Sequence, residues 1–160
     1  MTIKVTKPEI NLREKLSELS FDKVPFQKMP AGSVLQVLRD NHLSSSHYST
    51  TSTSFIDTEL SITITPSSAS SMIVITVFLG TQASATTTQD RYRVVRDSTA
   101  LAGDSWNNGL WVTTGSVWDD LPNTTSAVTY KVQYKSGAGA TGYYHHANVP
   151  SSLTLMEIKV

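Results

Sequence analysis

Residues 121–160, which decide the fold, read LPNTTSAVTYKVQYKSGAGATGYYHHANVPSSLTLMEIKV. Apolar residues occupy every second position in the first half of this stretch: Val128, Tyr130, Val132 and Tyr134. This period of two predicts a strand with one buried face and one wet face. A segment rich in Ser and Gly follows, and a second apolar strand is predicted from Leu153 to the last residue. Because a terminal strand fixes the end of a chain in a sheet, we expect a β-domain that closes here.

Further strands are predicted upstream, separated by turns of Ser, Thr, Gly and Asn. Their ranges are 34–38, 55–65, 72–79 and 91–96, with weak strand character at 110–112. Residues 72–79 are apolar on both alternating faces, which is typical of a central strand that is covered on both sides. The pattern predicts a mainly β domain, an antiparallel β-sandwich of jelly-roll type.

Residues 1–30 have a different pattern, which predicts a short N-terminal helix at about 7–19 and a linker after it. Thr6 is placed to cap the helix, and Glu9 occupies the capping-box position. Leucines recur along one face of this helix: Leu12, Leu16 and Leu19. A helix this short needs a partner for its apolar stripe, either its own domain or another subunit. The remaining residues, 31–160, are predicted to form the β-domain.

Composition excludes several classes of function. Lys and Arg together number 13, as do Asp and Glu, so a net charge of zero provides no field to attract nucleic acid or an anionic membrane. Cysteine is absent, which excludes disulfides, thiolate catalysis and zinc sites built from Cys. The longest apolar run, residues 72–79, is too short to span a membrane. Ser and Thr make up about a quarter of the chain, as suits strands and exposed turns.

Several strings resemble sequences in small β-domains of tailed-bacteriophage virion proteins, especially tail fibres and related appendages. They are PAGSVLQV at 30–37, TSTSFIDTELSITITPSSASSMIVI at 51–75, RDSTALAGD at 96–104, LPNTTSAVTYKVQ at 121–133 and SSLTLMEI at 151–158. The N-terminal TIKVTKPEINLREKLSEL at 2–19 also resembles segments that open phage structural proteins. The strings cover most of the chain in one order, although each alone is ordinary strand and turn sequence.

Such domains are similar to trimeric jelly rolls of the tumour-necrosis-factor and complement-head type. The resemblance therefore implies a homotrimer in the virion, made in the cytoplasm of a bacterial host. It also implies that the N-terminal segment binds other virion proteins, with Leu12, Leu16 and Leu19 as the anchoring contact. The sequence has no extended shaft or collagen-like repeat, which favours a short fibre, knob or head fibre that contributes to host attachment. A capsid decoration protein without host binding remains an alternative.

Two histidines, His145 and His146, follow a pair of tyrosines. Adjacent residues of a strand point to opposite faces, so these two cannot chelate one metal ion without a kink. His42 and His47 are available as further ligands, but no carboxylate lies at a metal-like spacing nearby. We therefore predict no metal and no cofactor, and interpret the histidines as part of a solvated loop or of a contact between subunits.

The three tryptophans lie among Asn and Asp residues between 104 and 120. Exposed aromatic rings stack on the apolar faces of sugars, while amides and carboxylates bind sugar hydroxyls. The candidate contacts for a host-surface glycan are Trp106, Asn107, Asn108 and Tyr143. The alternative is that the tryptophans fill the core or a subunit interface, where their large area contributes most. Trp106 is the one most expected to be exposed.

No motif predicts catalysis. Asp119 and Asp120 are adjacent, so on an extended chain they face apart, whereas a glycosidase needs two carboxyl groups across a cleft; a turn before Pro122 explains them better. The sequence contains no G-x-S-x-G motif. Gly137, Gly139 and Gly142 lack the context of a phosphate loop and are interpreted as a flexible hairpin tip. We predict a non-enzymatic protein with no catalytic residue; a carbohydrate-active enzyme is the weakest alternative.

Overall fold

The computed structural model describes residues 28–83, 89–107, 112–137, 140–145 and 147–160. The chain divides into two compact units, Met1–Pro30 and Ala31–Val160, and the account below concerns the second. Several predicted features lie outside the described residues: the helix at about 7–19 with Leu12, Leu16 and Leu19, and also Asn108, Trp111, Gly139 and His146.

The second unit is built from strands. They are β1 Val34–His42, β2 Tyr48–Thr50, β3 Ile56–Ile64, β4 Met72–Ala83, β5 Asp90–Arg96, β6 Thr99–Ala100, β7 Ser105–Asn107, β8 Val112–Asp120, β9 Val128–Lys135, β10 Gly142–Tyr144 and β11 Ser151–Ile158. No α-helix occurs among the described residues.

The strands form two antiparallel sheets. In the first sheet the order is β1-β11-β4-β10-β2, with β8 paired to the remaining edge of β4. In the second sheet the order is β3-β9-β5-β6, and β7 also pairs with β5. The C-terminal strand β11 lies between β1 and β4, so that Met156 has Val37 on one side and Val74 on the other. The predicted terminal strand is therefore confirmed, in the interior of a sheet.

Both sheets contribute to one hydrophobic core, in a sandwich-like arrangement. The buried side chains are Leu60, Ile62, Ile64, Ile73, Ile75, Val77, Leu79, Tyr92, Val94, Val128, Tyr130, Val132, Tyr134, Tyr144, Leu153 and Leu155. The alternation predicted for residues 128–134 is confirmed, because every apolar residue of β9 is buried and its polar neighbours are half-buried. Strand β3 also alternates: Thr58, Leu60, Ile62 and Ile64 are buried, and the residues between them are exposed.

The expectation that β4 is covered on both faces is wrong within one chain. Ile73, Ile75, Val77 and Leu79 are fully buried between the sheets. On the opposite face Val74 is only half-buried and Phe78 is 50% exposed. The second sheet covers only one side of β4, so the other apolar side is left on the surface.

Weak strand character was predicted only at 110–112, yet β8 begins at Val112 and runs for nine residues along β4. Its inward positions include Ser116 and Asp120, so no apolar alternation marks it in the sequence. Ser116 accepts or donates a hydrogen bond with the hydroxyl of Tyr92 at 2.9 Å and contacts Ser105 of β7 across the sandwich. Strand β8 therefore contacts the second sheet through a polar residue at a position where the period-2 pattern would require an apolar one.

A buried carboxylate fixes the turn after β9. Asp90 is fully buried and accepts hydrogen bonds from the Tyr134 hydroxyl at 2.6 Å and the Gly137 amide at 3.0 Å. A Cβ on Gly137 would lie 2.2 Å from the carbonyl oxygen of Gln89, and one on Gly142 would lie 2.7 Å from Asp90 Oδ2. These two glycines are therefore required by close approach, whereas the tip between them, residues 138–139, lies outside the described residues.

Candidate functional site

The outer face of the second sheet carries the most exposed tryptophan that the structure describes. Strands β7, β5 and β9 lie side by side, so that Arg91 is opposite Trp106 on one side and Lys135 on the other. Trp106 is 55% exposed. We call the group formed by Phe55, Arg91, Arg93, Trp106 and Lys135 the Trp106 surface. It combines aromatic rings with positive charge on an accessible sheet.

Each cation of this surface lies over an aromatic ring. The guanidinium carbon of Arg91 is 4.8 Å from the centre of the Trp106 ring. The guanidinium carbon of Arg93 is 4.0 Å from the ring centre of Phe55, and Lys135 Nζ is 4.7 Å from it. Such contacts stabilise by about 0.5–1 kcal/mol each at exposed sites. They hold the long side chains flat on the sheet and keep the positive groups next to the rings.

Carboxylates are unevenly distributed over the same face. Lys131 Nζ lies 2.9 Å from Asp57 Oδ2, and Gln133 donates to the other carboxylate oxygen at 2.7 Å. The hydrogen bonds from Gln133 and Lys131 lower the pKa of Asp57. By contrast, Arg91 Nη1 is 3.8 Å from Asp104 Oδ2, a longer separation. Lys131 is therefore well neutralised, whereas the cations of the Trp106 surface are not.

The residues predicted to contact a glycan do not form one cluster. Trp106 belongs to β7 of the second sheet, with Asn107 next to it. Tyr143 belongs to β10 of the first sheet and contacts the ring of His47, with the ring centres 5.6 Å apart. Asn108 lies outside the described residues.

Trp118 packs inside the protein, as the alternative interpretation of the tryptophans predicts. It is half-buried and lies against the hydrophobic core. Its indole N–H donates to the carbonyl of Gly103 at 3.2 Å, and its ring meets that of Tyr92 edge-on at 6.0 Å. Of the tryptophans that the structure describes, only Trp106 therefore presents a largely free ring.

The expectation of a solvated loop is wrong for His145. This residue is 1% exposed, adopts a left-handed backbone with φ of 54°, and lies 4.5 Å from His42 between ring centres. Its Nε2 is 3.1 Å from Glu59 Oε2, without the angles of a hydrogen bond. Burial, and then the proximity of His42, lowers the pKa of His145 to about 3. The imidazole is therefore neutral at pH 7.

The histidines that the structure describes, His42, His47 and His145, are not part of a site with three metal ligands. No group of three or more His, Asp or Glu side chains in the described ranges is arranged to hold a metal ion. The rings of Tyr48 and Tyr144 pack around the His42–His145 pair, at 5.8 Å and 5.5 Å from His145. This cluster is a buried aromatic corner of the fold.

Asp119 and Asp120 point to opposite faces of β8, as their adjacency predicts. They end the strand, however, and do not form the predicted turn. Asp120 Oδ2 lies 2.7 Å from Arg96 Nη1 and accepts the Tyr130 hydroxyl at 2.6 Å. Burial, followed by that hydrogen bond, raises the pKa of Tyr130. Asp120 therefore has a structural role between β8 and the second sheet.

The outer face of the first sheet carries an apolar group across β1, β11, β4 and β8, interrupted by the row of Arg39, Thr154 and Thr76. We call it the apolar face; it consists of Val34, Val37, Met72, Val74, Phe78, Val117, Met156 and Ile158. Exposure reaches 63% at Val117, 55% at Val37 and 50% at Phe78. Large contiguous apolar patches are rare on monomeric soluble proteins and mark contact sites. Sequence reasoning missed this face because it expected residues 72–79 to be covered on both sides.

Comparison with known proteins gives no assignment: no family model matches the chain, and no curated protein matches it. Within the residues that the structure describes, no helix combines the length and apolarity that crossing a membrane requires. The function is therefore argued from the two outer faces of the sandwich, one apolar and the other aromatic and basic.

Proposed function

We propose that this chain is a non-enzymatic structural protein of a tailed-bacteriophage virion, a short fibre or knob with a homotrimeric head. Its N-terminal segment would bind other virion proteins through Leu12, Leu16 and Leu19, and its head would contribute to host attachment. The observation that carries the assembly role is the apolar face, where Val37, Phe78 and Val117 are at least half exposed in the part of the second unit that the structure describes. The phage context rests on the resemblance of the five strings and the N-terminal segment.

The strand order supports a jelly roll. Counting the eight main strands in chain order as β1, β3, β4, β5, β7, β8, β9 and β11, the first sheet holds numbers one, eight, three and six. The second sheet holds two, seven, four and five. This pairing of early with late strands is what a rolled-up double Greek key produces. Trimeric jelly-roll heads are the class to which the sequence resemblance points.

The occupant of the apolar face is another copy of this chain. Arg39 lies at the β1 edge of the face and Asp119 at its β8 edge. In a cyclic trimer each contact joins two different parts of neighbouring copies, so the basic edge of one can meet the acidic edge of the next. The net charge of zero adds no repulsion between copies. The two opposite charges at the edges of the apolar face therefore favour self-association over a partner of one charge sign.

Light scattering on the purified chain tests this proposal. We expect three times the chain mass for the natural sequence and a monomer for the double variant Val37→Lys/Val117→Lys. Both residues are more than half exposed in one chain, 55% and 63%, so the variant should keep its β-sheet circular dichroism. Leu43→Lys is the matched control, because Leu43 is 66% exposed but follows the last residue of β1 and is not among the residues of the apolar face. A monomeric natural chain, or a double variant that stays trimeric, would contradict the proposal.

The anchoring role is tested on particles. We expect a chain without residues 1–20 to form the trimer but to be lost from virions, because the leucine stripe would be gone. If the shortened chain still enters particles, the anchor is elsewhere. Whole-cell binding by the isolated head then separates host attachment from decoration of the capsid without host binding.

A further inference from the structure

We infer that the Trp106 surface binds an acidic saccharide, a sugar chain that carries carboxylate groups. The inference rests on the proposed attachment function and names the class of ligand. It starts from the register of β5 with its two neighbours, which places Arg91 directly between Trp106 and Lys135.

Arg91 and Lys135 are like charges at opposed positions of adjacent strands. Side chains at such positions have Cβ atoms about 5 Å apart, and like charges there destabilise a sheet. Arg93 lies two residues along β5 on the same face. Three cations are therefore concentrated on one small area of a chain whose total charge is zero. Repulsion among these cations lowers the stability of the free protein, and an anion bound between them would relieve that repulsion.

The protein itself supplies little compensation. In the ranges that the structure describes, no carboxylate lies within 4.0 Å of Arg93 or Lys135, and Arg91 has only Asp104 at 3.8 Å. The Nε of Arg93 donates to Gln133 at 2.9 Å, which fixes the guanidinium plane over Phe55. A guanidinium held in a fixed plane suits a carboxylate, which can accept two parallel hydrogen bonds from it.

The aromatic and polar neighbours select a sugar acid over a simple anion. Trp106 exposes 55% of its surface, so ring area remains for stacking on the C–H face of a pyranose. Asp104 and Gln133 supply acceptors for sugar hydroxyls beside the cations. A nucleic acid is attracted by the field of a strongly basic surface, which a chain of zero net charge does not provide. An acidic saccharide matches the rings, the cations and the acceptors together.

Titration of the intact protein with two trisaccharides tests the inference. The acidic probe is trigalacturonate, the neutral probe is the galactose trisaccharide of the same linkage, and tryptophan fluorescence and calorimetry report binding. We expect trigalacturonate to bind at least about tenfold more tightly than its neutral counterpart, with affinity falling as salt is raised. Arg91→Gln and Lys135→Gln should each weaken binding by about fivefold or more, and Trp106→Ala should abolish the fluorescence change.

The matched control is Lys131→Gln, which removes the same charge from the same face of β9 but from a lysine that already pairs with Asp57. We expect its affinity to equal that of the natural chain. Equal binding of both trisaccharides, no binding at about 10 mM, or an equal loss in Lys131→Gln would overturn the inference. So would equally tight binding of tripolyphosphate, because that would indicate charge attraction alone.

The outcome is distinguishable from failure of the proposed assembly. The monomeric variant Val37→Lys/Val117→Lys should keep the affinity of a single head for trigalacturonate, because both changes lie on the first sheet. A trimer that binds neither trisaccharide would refute the proposed ligand but not the proposed assembly. A natural chain that is monomeric but binds the acidic sugar would refute the assembly and leave the ligand intact.

Discussion

Acidification from pH 7 to pH 5 should destabilise the β-domain by about 2 kcal/mol, with His145 as the main source. The imidazole is 1% exposed, and burial next to His42 lowers its pKa to about 3. The groups packed around it are His42 of β1, Tyr48 of β2, Tyr144 and the carboxylate of Glu59 in β3. Glu59 is 36% exposed, and its attraction for a charged imidazole does not outweigh the burial.

The size of the effect follows from the difference in proton binding. In the unfolded chain the histidine has a pKa of about 6.5 and takes up a proton as the pH falls to 5. In the folded chain it stays neutral over this range, because its pKa is about 3. The contribution of His145 to the free energy of unfolding is therefore fully present above about pH 6.5 and is lost as the pH falls towards 3. Integrated from pH 7 to pH 5, the loss is about 2 kcal/mol, or a melting temperature lower by roughly 5–10 °C.

Urea denaturation at the two pH values measures this loss in each variant. His145→Asn removes the titrating group and keeps a residue that tolerates the left-handed backbone, so its free energy of unfolding should change much less with pH. Glu59→Gln should show the same acid loss as the natural chain between pH 7 and pH 5, because the folded imidazole stays neutral over this range with or without that anion. Asp57 and Glu157 have lowered pKa values and titrate below this range. An unchanged loss in His145→Asn would refute the argument.

Two further predictions concern the turn that Asp90 fixes. Gly137→Ala should lower the free energy of unfolding by about 1–3 kcal/mol or more, because the added Cβ would lie 2.2 Å from the Gln89 carbonyl oxygen; unchanged stability in urea at pH 7 would show that the close approach is absent. Asp90→Ala should cost about 2–5 kcal/mol, because it leaves the buried Tyr134 hydroxyl without its acceptor and removes the hydrogen bond from the Gly137 amide; a loss below about 1 kcal/mol would contradict this role.

The regular strands could be predicted because their two faces differ in polarity. In β9 each buried residue alternates with a polar one, so one pattern specifies both the strand and its inward face. The same pattern fails for β8, where Ser116 and Asp120 point inward and are satisfied by partners in the second sheet. A strand that meets the core through hydroxyl and carboxylate groups has no apolar period to detect. Its position follows from tertiary partners that sequence spacing does not contain.

The Trp106 surface was predicted only in part, for a related reason. An exposed tryptophan beside polar residues was visible in the sequence, and Trp106 is indeed 55% exposed. The cations next to it come from β5 and β9, and only the register of these strands brings Arg91 and Lys135 together. Register depends on how the whole sheet packs, so residues far apart in sequence show no pattern that pairs them. The buried state of His145 was missed because a pair of histidines after two tyrosines is equally compatible with a loop.

The wrong expectation for β4 and the proposed assembly have one physical origin. Residues 72–79 are apolar on both faces, which requires cover on both sides, and the second sheet covers only the side of Ile73 and Leu79. The opposite side continues the apolar row of Val37, Met156 and Val74 across three strands. If a second copy lies on this row, β4 is covered on both faces in the assembly, as its sequence predicts. The apolar pattern of residues 72–79 would then be correct for the trimer and wrong only for the single chain. In that case the apolar side chains of Val37 and Val117 are needed for assembly, whereas those of Ile73 and Leu79 are needed for folding.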